Sequence, residues 1–334
     1  MMALLVATLS SVGAPYHYRF PGALDHRQFA EARHQRHAQR LALISAQSVA
    51  ASALLDDGTG HVITPSAFGA DPSGSADSTA GMKAAIAALT ALGGTTDDQG
   101  RIDLGGAVLD LEGGTYSISA ATVLPPGYAN FRVQRGTLVA RSNFSSAASG
   151  SREYLLHVGG PSCNSSSGGG NNKNCNSNVD IQQMTFDGAN VAWGCLMVQD
   201  TMNVNVGPAV YVAGFEGVGI SLSGSGAGYI HEAWLGQYQP GHAKATDTAT
   251  AILLDGQQHD CDVNNVIVWS GLVGVNTTNG ANRLQGVHTW NDAGKNGGTG
   301  IRLHRGSGRV EQVSCLLFTV TMFANLAHSL TCSP

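Results

Sequence analysis

Val263-Asn-Asn-Val266-Ile-Val268 carries apolar residues at i, i+3 and i+5. The last two alternate as in a half-buried strand, while the first is set across a two-residue bend. Five further stretches carry apolar or small residues in the same pattern: Ile181-Gln-Gln-Met184-Thr-Phe186, Val206-Gly-Pro-Ala209-Val-Tyr211, Ile230-His-Glu-Ala233-Trp-Leu235, Leu284-Gln-Gly-Val287-His-Thr289 and Val310-Glu-Gln-Val313-Ser-Cys315. From Ile181 onward their first positions are spaced by 25, 24, 33, 21 and 26 residues, and the long interval contains the polar insertion Gln239 to Thr248. A strand-sized repeat at this period predicts a parallel β-helix, in which each coil buries its apolar face only by stacking on its neighbours. The fold class expected is therefore all-β, with one long outward sheet on which chemistry can sit.

Composition fits a solenoid. Charged residues are only 12% of the chain, and 44 glycines exceed the usual share, as expected where many coils each turn several corners. A chain of 334 residues could hold two ordinary domains, but a solenoid lengthens without a second core. The expected organisation is a leader at 1–14, a helical or linker extension at 15–60, and the β-helix at 61–334. A net charge of −5 without a basic stripe on the coils argues against a nucleic-acid partner.

Met1-Met-Ala-Leu-Leu-Val-Ala-Thr-Leu-Ser-Ser-Val-Gly-Ala14 is a short apolar run with a small-residue end and no positive start. It suits a cleaved secretory signal. No later stretch reaches the ~18 apolar residues of a membrane span, so no membrane partner is expected once the signal is removed. Asn143-Phe-Ser145, Asn164-Ser-Ser166 and Asn276-Thr-Thr278 are glycosylation acceptor sequences. Cys163 and Cys175 bracket a Ser, Gly and Asn loop that has no apolar residue to order it, and a disulfide is the expected staple. Cys195, Cys261, Cys315 and Cys332 either pair or lie buried. His26, His34 and His37 fall in a helix-like stretch from Asp25 to Leu55 and are expected on its solvated face, because no Cys or carboxylate cluster completes a metal site.

The stretch Phe68-Gly-Ala-Asp-Pro-Ser-Gly-Ser-Ala-Asp77-Ser-Thr leads into the alanine-rich run Ala80 to Leu92, which ends at Gly93-Gly94. Asp77 or Ser78 can cap that helix and the glycine pair can stop it. A strand, turn and strand follow over Gly106 to Ile118.

Phe68 to Leu92, followed by Leu111-Glu-Gly-Gly-Thr-Tyr116, resembles the opening of the pectate-lyase-like superfamily. That resemblance implies a right-handed, single-stranded parallel β-helix capped at its N-terminal end by the helix. Tyr229-Ile-His-Glu-Ala-Trp-Leu-Gly-Gln237, Thr250-Ala-Ile-Leu-Leu254, Gly280-Ala-Asn-Arg-Leu-Gln-Gly-Val-His-Thr-Trp-Asn291 and Gly297-Gly-Thr-Gly-Ile301 resemble, more narrowly, the QUARTET-type polygalacturonases of plants. This implies hydrolysis of the α-1,4-galacturonan of pectin, an acidic polysaccharide, in the extracellular cell wall, and further coils beyond Val313. The Asn-Thr-Asp, Asp-Asp, Gly-His-Gly and Arg-Ile-Lys signatures of glycoside hydrolase family 28 do not occur in place, so no catalytic residue carries over.

The site is therefore read from the coil register. Position i−1 holds Asp180, Asn205, Tyr229, Asp262, Arg283 and Arg309, and the other outward positions include Glu232, Trp234, Asn265, His288, Asp187, Trp269 and Trp290. Glycoside hydrolysis needs one protonated and one ionised carboxyl group, ~5 to 9.5 Å apart. Glu232 and Asp262, on neighbouring coils, are the expected pair, with Asp260 and Asp255 as substitutes. Arg283 can bind a uronate carboxylate, His231 and His288 can position the substrate, and Trp234, Trp269 and Trp290 can stack on sugar rings. Asp262 beside Arg283 is equally well explained as a surface ion pair, and Asp187 in Phe186-Asp-Gly188 as a turn residue. No cofactor is expected for a hydrolase. A β-eliminating lyase would need Ca2+, for which the carboxylates are sparse, and a wall-binding solenoid would keep the groove without the acids.

Overall fold

Val133, Ile181, Val206, Ile230, Val263, Leu284 and Val310 are successive partners across parallel strands, forming one column. The first six side chains of the column are buried. In this computed structural model the described residues are 61–144, 152–160, 175–224, 226–238, 248–255, 260–278, 281–290, 298–304, 309–311, 314–316 and 319–323. The chain divides into two compact units, Met1–Gln47 and Ser48–Pro334, and all described residues lie in the second. The expected leader, the extension with His26, His34 and His37, Cys163, Asn164 and Cys332 lie outside the described residues.

The repeat forms two walls of a right-handed parallel β-helix. Among the described residues the front wall has 14 strands and the back wall eight, the back running from Thr122–Leu124 to Thr319–Phe323. Leu156, Leu196, Ile220, Ile252, Val275 and Ile301 stack along the back wall as the front column does along the other. Both columns belong to one continuous apolar core. Burial of ladder after ladder is what holds each coil, since a lone coil has no second face to cover it.

The two-residue bend read from the sequence contains one left-handed residue. Arg135, Gln183, Glu232, Asn265 and Gly286 occupy it with φ of 58°, 54°, 49°, 52° and 62°. It folds the front wall into two facets: Asp262, for example, lies before the corner at Asn265, and Ile267 after it. A second left-handed column, Asn130, Asn178 and Asn203 at φ of 56°, 52° and 50°, opens the first facet. Asn tolerates this conformation better than other side chains.

One coil departs from the expected register. At Val206 the pattern placed Ala209 and Tyr211 inside, whereas Val210 and Val212 are the buried residues and Tyr211 pairs with outward Thr185. The bend there is Gly207-Pro208-Ala209, three residues instead of two. Proline cannot donate a ladder hydrogen bond, which fits its place in a corner. The shift turns Tyr211 out of the central core to the outer side of the wall, where it is buried against Trp269.

Helix α1, Thr79–Thr90, lies where the alanine-rich run predicts it. It buries Met82, Ala85, Ile86 and Leu89 in the same core, the i, i+3, i+4, i+7 stripe of an amphipathic helix. Ser78 occupies the N-cap without a capping side-chain bond. Instead, Asp77 accepts from the Thr79 amide and hydroxyl, while Ser78 Oγ accepts from the Asp71 amide. The close approach needs Gly81, because a Cβ there would stand 2.4 Å from the Ala70 nitrogen.

Cys195 and Cys261 are buried and not disulfide-bonded. Burial pushes the Cys195 thiol well up from its ordinary range. Cys175 is disulfide-bonded. Asn276, in one of the acceptor sequences, sits half-buried within the strand Val273–Thr277 of the back wall.

Candidate active site

Inward and outward residues alternate along the first facet, so each coil presents only two side chains to solvent between its corners. One outward column is Arg132, Asp180, Asn205, Tyr229, Asp262 and Arg283. The other contains Gln134, Gln182, His231, Asn264 and Gln285. The result is a polar strip two side chains wide along the cylinder. Tyr229 is its exposed aromatic residue, 42% accessible.

Charges in the strip are paired at both ends. Arg132 Nη2 is 3.2 Å from Asp180 Oδ2, and Arg283 Nη1 is 3.5 Å from Asp262 Oδ2. Between them His231 Nε2 donates to Asn205 Oδ1 at 2.9 Å. Gln182 Nε2 donates to Gln134 Oε1 at 3.2 Å along the stack. The second oxygen of Asp262 is buried without a hydrogen-bond partner.

The residues expected to form a site are divided by this geometry. His231, Asp262 and Arg283 share the first facet. Glu232 stands exposed on the left-handed corner beside it. Because Tyr229 pairs with Asp262, Glu232 and Asp262 are one rung and three residues apart. At ~4.8 Å per rung and ~3.3 Å per residue, their Cα atoms lie roughly 11 Å from each other. Asp260 occupies the asparagine corner column at φ 59°, three residues before Val263 as Asn178 is before Ile181. Trp234 and His288 lie on the second facet, in the column of Tyr211 and Ile267. Trp290 ends the strand Arg283–Trp290.

Two expectations need correction. Asp255 ends a back-wall strand and accepts from Thr278 Oγ1 at 2.7 Å, so it does not share the outward front face. Trp269 has its indole 6% accessible, stacked 5.3 Å from Tyr211, with Nε1 donating to the Tyr238 carbonyl at 3.0 Å. It is a packing residue covering the second facet, and Trp234 packs against the same cluster. Neither face of the Trp269 ring is left for a sugar.

A further concavity of about 450 Å³ lies at the N-terminal end of the strip. Asp103, Asn130, Arg132, Asn178, Asp180 and Asn205 are among its lining residues. Asn203 donates to Asn178 Oδ1, and Asn178 donates to Asn130 Oδ1 at 3.0 Å. Asp103 is held below its usual range by the Gly105 amide and then by the Asn130 side chain. The chain of amides thus ends on a carboxylate. A signal for this ladder exists in the sequence: Asn stands three residues before Val133, Ile181 and Val206 in three consecutive coils.

No family model matches the chain. In sequence it is 30% identical over 241 residues to Polygalacturonase QRT3 of Arabidopsis thaliana, an alignment covering 71% of this chain and 47% of that protein. The chain therefore spans about half the length of the curated relative it matches. Among solved structures it is similar to the A-module of mannuronan C-5 epimerase AlgE6 of Azotobacter vinelandii. That likeness has a TM-score of 0.54 at 14% identity and covers 78% of this chain and 68% of the other. ORF18 of Geobacillus virus E2 gives a TM-score of 0.55 at 12% identity, covering 78% and 50%. At such identities the likeness is one of fold. Taken with the stacked columns and the capping helix, these comparisons give the chain the right-handed parallel β-helix fold of pectate-lyase-like proteins, with a sequence similar to Polygalacturonase QRT3.

Proposed function

We propose that the chain is a secreted glycosidase of the cell wall that hydrolyses an α-1,4-linked galacturonan. The observation that carries this reading is the strip between the two corners: exposed Tyr229, with Glu232 and Asp262 on adjacent rungs and Arg283 directly beyond. Tyr229 offers an aromatic face to a sugar ring. Arg283 suits the carboxylate of a uronate.

In this reading Asp262, beside the Arg283 guanidinium, is the carboxylate that activates water or attacks the anomeric carbon. Glu232 protonates the departing glycosidic oxygen from the other side of the bond. His231, held by Asn205, and Arg283 position the sugar. The name of the relative from Arabidopsis thaliana supports a polygalacturonase over other glycosidases.

Incubation with polygalacturonate tests the reading. New reducing ends without ultraviolet-absorbing unsaturated products are expected. Unsaturated ends that vanish on chelation would replace the hydrolase with a Ca2+-dependent lyase, and binding without any product would leave a wall-binding module.

A further inference from the structure

The concavity at the N-terminal end of the strip differs in charge from the rest. Its lining has two carboxylates, Asp103 and Asp180, against one guanidinium, Arg132. Asp103 is kept ionised by the Gly105 amide and Asn130, and Asp180 is ion-paired with Arg132. The balance is one negative charge. At the opposite end Arg283 is paired with Asp262. A uronate carboxylate is therefore disfavoured at the concavity, and near a protein surface such terms act over several ångströms.

The other lining groups are of the kind that bind hydroxyls. The Asn130–Asn178–Asn203 ladder supplies amides fixed by their left-handed corners and by one another, and Asn205 is held by His231. Carboxylates accept from sugar hydroxyls, and Arg132 has a buried Nε with no hydrogen-bond partner. Gly105 and Gly106 keep one side open, since a Cβ on either would touch nothing. A pyranose chain laid along the cylinder advances by about one rung per sugar. The concavity is then reached by the same glycan that passes Tyr229 and Asp262.

We infer that this concavity is a subsite for an uncharged, hydroxyl-rich sugar, such as a methyl-esterified uronate or a neutral pyranose, within a glycan that is acidic elsewhere. The inference rests on the reading that the front strip carries a glycan. It adds that the preferred chain is of mixed charge, with its neutral units at the N-terminal end of the cylinder.

Calorimetric titration with trigalacturonate and with its fully methyl-esterified form, both in chelator, tests it on the full chain. Asp180→Asn, which keeps shape and removes one charge, should raise affinity for the free acid about five-fold and leave the ester within two-fold. Asn205→Ala should weaken the ester at least three-fold. An unchanged free-acid affinity in Asp180→Asn overturns the inference, and so does free-acid binding that appears only when Ca2+ is restored, because the concavity would then be a cation site. Hydrolysis is scored separately on polygalacturonate with Glu232→Gln. A chain that hydrolyses nothing but shows the Asp180 charge effect defeats the glycosidase reading and keeps the subsite. Hydrolysis without the charge effect does the reverse.

Discussion

Trp269 lies so close over Gly236 that a Cβ at position 236 would come within 1.8 Å of its ring. The missing side chain on one rung is the space in which the next rung's indole sits.

Gly236→Ala should therefore displace the indole and destabilise the fold by about 1–3 kcal/mol, the usual cost of overpacking. Trp269→Ala should cost about 3–5 kcal/mol, as for other buried aromatic truncations. Tyr229→Ala should stay within about 0.5 kcal/mol, because the ring is exposed, while polygalacturonate binding weakens several-fold. Urea denaturation of the three variants checks the ranking. A Trp269→Ala chain of native stability would contradict the packing role.

Glu232 has two separable properties, a left-handed backbone and a carboxyl group. Glu232→Gln should lower turnover at least ~100-fold, the scale of losing general acid catalysis, with the melting temperature unchanged. Glu232→Gly should lose turnover equally while gaining up to about 1 kcal/mol, since glycine relieves the left-handed corner. Asp262→Asn should resemble Glu232→Gln. Near-normal rates in both carboxamide variants would mean that the pair is structural, and Asp260 would be tested next.

Asp110 is 2% accessible and accepts from Gln134 Nε2 at 2.8 Å and Arg135 Nε at 2.8 Å. Arg135 is itself a corner residue at φ 58°. Removing the carboxylate would leave a largely buried guanidinium without its partner, so Asp110→Ala should cost about 3–5 kcal/mol. Asp110→Ala with native stability, measured by chemical denaturation, would refute this.

Burial works to raise the carboxyl of Asp77, but bonds from the Ser119 and Thr79 hydroxyls and amides outweigh it and hold the group at about 2, below its ordinary 3.8. A lowered folded-state value stabilises the fold above the unfolded value, and that contribution disappears as pH falls through the folded one. Melting temperature should therefore decline between about pH 3.8 and pH 2, and Asp77→Asn should flatten that part of the curve. An Asp77→Asn chain whose acid limb has the wild-type slope would show that other groups govern it.

The inward columns were legible because an apolar ladder is a sequence property: Ile181, Ile230, Val263 and Leu284 must be buried or the coil has no reason to form. The misread coil at Val206 has a corner whose length depends on Pro208, and nothing in the apolar spacing distinguishes a three-residue bend when Ala209 and Tyr211 also fit. Outward positions were harder. Trp234 and Trp269 both follow the outward spacing, but whether such a ring meets solvent depends on Gly236, Tyr211 and the next rung together. The asparagine ladder is visible in the sequence as a fixed offset three residues before the apolar column, a position that a register followed from i−1 onward does not reach. Asp260 belongs to the same offset, which explains its corner conformation without reference to chemistry.

Helix α1 has a consequence for how copies of this chain meet. A stack of parallel strands ends in a row of unpaired amides and carbonyls that would accept another strand, and a β-helix left open there can extend from molecule to molecule. With Met82, Ile86 and Leu89 pressed onto the first rungs, the N-terminal end presents a helical surface to its neighbours. The lid that completes the core thus also keeps one cylinder from being read by the next as a template for growth.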